Sequence, residues 1–150
     1  MKIFKNVLIA FVLISIGFTI GKHSAEKKSL GVDMRKTSLI RVYYMHGTLR
    51  CATCNNIEKM TKELLNNKFT KEIADGKIEF KTLNFQKNEA LAKLFKITFS
   101  CVVVAKIQDG KIIAHQTLEK VWELYQKPLA FNNYLSRSIQ VYLAPQEETK

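Results

Sequence analysis

The chain has 150 residues, about half of them apolar, which suits one domain with a real core plus a tail. Its formal net charge is +11, from 24 Lys and Arg against 13 Asp and Glu. The lysines are scattered singly, with no basic run and no nucleic-acid motif, so the charge reads as a solvated lysine-rich surface and nucleic acid is excluded as a partner.

Residues 1–21 do not belong to the domain. Lys2 and Lys5 precede the apolar run VLIAFVLISIGFTIG over 7–21, the pattern of an export signal. Membrane spans need roughly 20 apolar residues. The apolar region of a cleaved signal is about 7–15 residues. The run lies between the two, and Lys22 and His23 stand where a small-x-small cleavage site would be expected. The segment is therefore expected to be an uncleaved membrane anchor helix, with a cleaved signal peptide as the alternative. Lys22, Lys27 and Lys28 follow it and would prefer the cytoplasm. The leading position of the segment still favours a domain outside the inner membrane, facing the periplasm of a bacterial cell envelope. Residues 22–38 read as a linker, 39–143 as the folded domain and 144–150 as a polar tail.

Within the domain, LIRVYYM at 39–45 is β-branched and aromatic on both faces, the pattern of a buried central strand. His46, Gly47 and Thr48 form the turn out of it. From Cys51 the period becomes helical: Ile57, Met60, Leu64, Leu65 and Phe69 recur with Glu58, Lys59, Lys62 and Glu63 between them. This helix is expected to run to Ile73 and to end near Asp75 and Gly76. KIEFKTLNF at 77–85 alternates, as an edge strand with one solvated face does. A short helix over 88–95 follows, with Asn88 as its cap. SCVVVAKIQDGKIIAHQ at 100–116 reads as a hairpin turning at Asp109-Gly110. From Thr117 to Leu143 the pattern is helical, with Pro128 starting the second half. A strand–helix–strand crossover implies parallel pairing, and the hairpin adds an antiparallel strand. The expected fold class is α/β, a four-stranded mixed sheet flanked by helices.

Three cysteines are present, and two of them, Cys51 and Cys54, are two residues apart at the mouth of the first helix. A helix N-terminus carries unsatisfied N–H groups and a positive partial charge, which stabilise a thiolate. Cys51 should be the exposed nucleophile, with Arg50 beside it adding a positive charge, and Cys54 the resolving thiol. A purely structural disulfide closing so small a loop would constrain the unfolded chain only weakly.

The strand, the CxxC at the next helix and this order of elements resemble the thioredoxin superfamily, truncated by the first strand and helix, over roughly 39–143. More closely, YYMHGTLRCATCNNIEKMTKELL at 43–65 and VWELYQKPLAFNNYLSRSIQVYL at 121–143 resemble an exported bacterial thioredoxin-like family labelled nitrophenyl-compound nitroreductase subunit ArsF. The resemblance implies a thiol–disulfide oxidoreductase, with Cys51 and Cys54 catalytic and Arg50, Ala52, Thr53, Ser100 and Cys101 around them. It also has departures. Ala52 and Thr53 replace Gly and Pro, Arg50 replaces Trp, and Met45 stands six residues before Cys51 where thioredoxins bury an Asp. The segment TFSCVVV at 98–104 has no proline where thioredoxins carry one in cis, and Ser100 or Cys101 takes that place.

That last departure raises a second function. If Cys101 joins Cys51 and Cys54, three soft sulfurs could hold copper, zinc or trivalent arsenic. Otherwise Cys101 is a small buried hydrophobe opening a strand. His46 reads as a turn residue, and His23 and His115 are distant in sequence from the pair. Trp122, Tyr125, Phe131 and Tyr134 read as packing residues of the last helix. No Gly-rich phosphate loop exists, so no flavin or nicotinamide cofactor is expected, and the nitroreductase label implies at most an electron-donating subunit. An exported dithiol needs reducing power brought through the membrane. The expected partners are thus a transmembrane dithiol electron carrier and, downstream, a periplasmic protein disulfide or redox enzyme.

Overall fold

The computed structural model describes residues 38–144. The anchor expected over 1–21, the linker up to residue 37 and the tail from residue 145 lie outside the described residues. Among the described residues no helix is long and apolar enough to cross a membrane.

Strand β1, Ser38–His46, lies inside a four-stranded sheet of order β2-β1-β3-β4. Its partners are β2, Ile78–Asn84, in parallel, and β3, Cys101–Gln108, antiparallel. Strand β4, Lys111–Leu118, pairs antiparallel with β3. Covered on both faces, β1 reads as a continuous apolar run. Ile40, Val42 and Tyr44 enter one core with Val102 and Val104, under helix α1 (Ala52–Lys68) and the last helix, Pro128–Leu143. Tyr43 and Met45 enter a second core on the opposite face with Phe95, Cys101, Val103 and Ala105.

Several element ends and one cap differ from the sequence expectation. The first helix does not reach Ile73 unbroken: it ends at Lys68, Phe69 leaves helical geometry at φ −123°, ψ 26°, and a short α2 covers Thr70–Ala74. The Phe69 ring is buried in the first core. Helix α3, Glu89–Phe95, follows Asn88, but Asn88 makes no side-chain cap: its amide donates to the carbonyl of Asn84 at 2.8 Å. Thr117 and Leu118 extend β4 instead of opening a helix, because they pair with Val103 and Val102. The helix then begins as a single turn, α4, Val121–Leu124, before Pro128 starts α5, Pro128–Leu143.

The hairpin turn is as expected. Asp109 and Gly110 both take positive φ, 51° and 76°, the geometry of a tight two-residue turn.

Candidate active site

Cys51 is the N-cap of α1, with extended backbone at φ −87°, ψ 164°. Its Sγ accepts the backbone N–H of Cys54 at 3.1 Å. The sulfur thus occupies the place that a serine or aspartate oxygen takes in an ordinary cap, and it receives one of the unpaired donors of the first turn. Cys51 and Cys54 form a disulfide with their Cα atoms 5.0 Å apart. Cys51 is exposed, while Cys54 faces the core and is 6% exposed. Ala52 is exposed and Thr53 half-buried between them. One sulfur is therefore open to a partner and the other is held beneath it.

The residue beneath the pair is Tyr44, not Met45. Counting six residues back from Cys51 reaches Met45, which is buried on the opposite face of the sheet. Alternation along β1 puts Tyr44 on the α1 side, and its hydroxyl donates to the carbonyl of Cys54 at 2.6 Å. Burial pushes the phenol up to about 12, Arg50 opposes the shift, and Glu58 and Cys101 add to it. Tyr44 stays protonated and serves as a donor.

Arg50, expected to add its charge to Cys51, pairs with a carboxylate. Its guanidinium bonds the Oε2 of Glu58 and lies 5.7 Å from the centre of the Tyr44 ring. Glu58 is buried, although its position among Lys59, Lys62 and Glu63 reads as polar surface. Its Oε1 accepts from Lys62 Nζ at 2.7 Å and from Thr82 Oγ1 at 3.1 Å. Burial alone would raise this carboxyl. The hydrogen bonds from Lys62, Arg50 and Thr82 outweigh it and hold the group down at about 2. Thr82 is the β2 residue paired with Tyr44, so β1, β2, α1 and the loop before Cys51 all meet at this carboxylate. Sequence reasoning missed Tyr44 and Glu58. The available signal for Glu58 was its spacing, four residues after Cys54 and so on the same helix face.

Ser100 and Cys101 part company. Ser100 Oγ accepts the N–H of Gly47 at 3.4 Å, and its carbonyl accepts the indole N–H of Trp122 at 2.6 Å. Ser100 therefore ties the loop before β3 to the loop that carries the cysteines, and Trp122 ties it to α4. Cys101 is a free thiol, 2% exposed, paired with Met45 across the sheet. Burial, aided by Glu119, pushes it up to about 12. Among the described residues no group of three or more His, Cys, Asp or Glu side chains is placed to hold a metal ion, and two sulfurs of the alternative set Cys51, Cys54 and Cys101 are joined in the disulfide. His46, expected in the turn, is the last residue of β1, with its Nδ1 2.8 Å from the carbonyl of Gly47, and His115 packs against Phe95 with ring centres 5.0 Å apart. Phe131 is fully buried, and Trp122, Tyr125 and Tyr134 pack against the same core.

Two apolar side chains stand in the loops that bracket the pair. Leu49, two residues before Cys51, is 92% exposed, and Phe99, in the loop held by Ser100, is 44% exposed.

No family model matches the chain, and no curated protein does. Among solved structures, the chain is similar to mitochondrial thioredoxin 3 from Saccharomyces cerevisiae in its oxidised form, at 18% identity over 71% of this chain and 81% of that one, with a TM-score of 0.43. It is similar to Trxlp from Edwardsiella tarda at 15% identity over 67% and 84% of the two chains, TM-score 0.44. For the thioredoxin of Fasciola hepatica the identity is 21% over 62% and 81%, TM-score 0.37. The thioredoxin-like reading of the fold rests on the strand order, the parallel β1–β2 crossover and a CxxC disulfide at the first turn of α1.

Proposed function

We propose that the protein is a thiol–disulfide oxidoreductase, exported and tethered to the membrane by its N-terminal segment. One observation carries the reading: an exposed sulfur caps a helix and forms a disulfide with a buried sulfur one turn on.

The cycle follows from that asymmetry. In the reduced form, the Cys51 thiolate attacks one sulfur of a partner disulfide. The partner's S–S bond breaks, its second sulfur leaves as a thiolate and takes a proton, and a mixed disulfide joins the two proteins. The Cys54 thiol then loses its proton and attacks Cys51 Sγ. The intramolecular disulfide closes and the partner leaves as a dithiol, so two electrons have passed from this chain to the partner. A transmembrane dithiol carrier would return them. Leu49 and Phe99 would give a protein partner apolar contact around the reacting sulfurs. The resemblance of residues 43–65 and 121–143 to the ArsF-labelled family supports a finer role, electron donor to a periplasmic redox enzyme.

The test is insulin reduction by the purified chain with dithiothreitol as donor. Catalysis that disappears in Cys51→Ser supports the reading. A chain whose two thiols fail to catalyse exchange, or whose Cys51→Ser variant keeps full activity, overturns it.

A further inference from the structure

The arginine next to the exposed sulfur is paired with a carboxylate. Its guanidinium is anchored on Glu58, over the ring of Tyr44, whose hydroxyl holds the carbonyl of Cys54. The groups facing Glu58 are Arg50 from the loop, Lys62 from its own helix and Thr82 from β2, with Tyr44 of β1 close enough to feel its charge.

We propose that Glu58 is a positioning residue for the cysteine pair: by anchoring the Arg50 guanidinium it keeps that cation from the Cys51 sulfur and so makes the reduced pair more electron-donating. The inference rests on the thiol–disulfide reading of the same site.

The electrostatic reasoning is direct. A cation beside a thiolate lowers its pKa and favours the dithiol state over the disulfide. Arg50 is the chain neighbour of Cys51, so a guanidinium released from Glu58 finds the thiolate within reach of its own side chain. With Glu58 present, the guanidinium is held on the carboxylate, which Lys62 also pairs. The carboxylate keeps its charge across the working pH range because three donors converge on it. Glu58 therefore acts as a fixed charge and not as a proton shuttle. A buried carboxylate that served only to brace α1 against β2 would need Lys62 and Thr82, but not the arginine of the cysteine loop.

The experiment uses the full chain and reads two quantities: the rate of Cys51 alkylation by iodoacetamide against pH, and the equilibrium of the disulfide with glutathione. Glu58→Gln is expected to raise alkylation at acidic pH by about three- to tenfold and to shift the glutathione equilibrium towards the dithiol by a similar factor. Arg50→Gln alone is expected to change either by less than about twofold, because the guanidinium is already held on Glu58 and Lys62 still pairs that carboxylate. In the Arg50→Gln background most of the Glu58→Gln shift, on a logarithmic scale, is expected to vanish. An unchanged profile in Glu58→Gln, or a shift that persists in full without Arg50, overturns the proposal. If Glu58→Gln does not fold, Arg50→Gln decides: an alkylation at acidic pH slowed about threefold or more, the mark of a cation already acting on Cys51 in the parent, overturns it, and a profile close to the parent's supports it. Should the parent chain show no exchange activity, the proposed function falls, while the alkylation profile still reads whether Glu58 governs Cys51.

Discussion

The hydroxyl of Tyr44 and the carbonyl of Cys54 are 2.6 Å apart, joined by a buried hydrogen bond between the central strand and the first turn of α1. It is the contact that fixes the resolving cysteine over the sheet. Tyr44→Phe keeps the ring and removes the bond, and is expected to cost about 1 kcal/mol of folding stability. Urea unfolding of the full chain measures it; an unchanged midpoint and slope would remove Tyr44 from this role.

Cys54→Ser leaves the exposed sulfur able to attack and nothing to release the product. A mixed disulfide should accumulate on Cys51 with a disulfide-bearing substrate, visible as a mass shift under non-reducing conditions that dithiothreitol reverses. Cys51→Ser should trap nothing. Equal trapping by the two variants would mean the roles are not divided by exposure.

Cys101 should be inert in the folded chain. It is 2% exposed and its thiol is pushed up to about 12 by burial and Glu119. Alkylation is expected only at Cys51 and Cys54 after reduction, with Cys101 modified once denaturant is added. Cys101→Ala should leave the exchange rate unchanged and lower stability by about 1–2 kcal/mol through the cavity it opens. A marked loss of bound zinc or copper in that variant would instead restore the metal reading.

The Glu58 carboxylate should make the fold acid-sensitive. Its folded pKa, about 2, lies below the ordinary 4.5, so its contribution is fully present above the ordinary value and is lost as pH falls through the folded one. The window is therefore pH 4.5 down to 2. Lys62 is half exposed, which screens its share, so the amount lost is about 1–3 kcal/mol. Thermal melts of the parent and of Glu58→Gln across that window should converge at the acid end; parallel curves would deny the carboxylate this role.

Much of the architecture was readable from local pattern. The apolar run at 39–45 marks a strand covered on both faces, and Asp109-Gly110 marks the hairpin turn, because burial and backbone sterics leave their trace in neighbouring residues. The helix start at the cysteine pair was also readable, while the exposure of Cys51 and the burial of Cys54 follow from their places as cap and first-turn residue. Where the chain ends one element and begins another was less legible. Leu118 has helical spacing to Val121 and Trp122, yet it belongs to β4 because its register is set by Val102 on a different strand.

The sequence by itself determined where the cysteine pair stands, at the start of the first helix, and what kind of sheet lies behind it, since both depend on residues close in the chain. Only the tertiary structure decided what surrounds those sulfurs. Tyr44 replaces Met45 beneath the helix because the alternation of β1 selects its face, and a one-residue count crosses the sheet. Glu58 looks solvated in a list of helix residues and is buried because Thr82, 24 positions away, and Arg50 meet it at one point in space. Electrostatics at an active site is set by distances through space, and those exist only after the strands have paired.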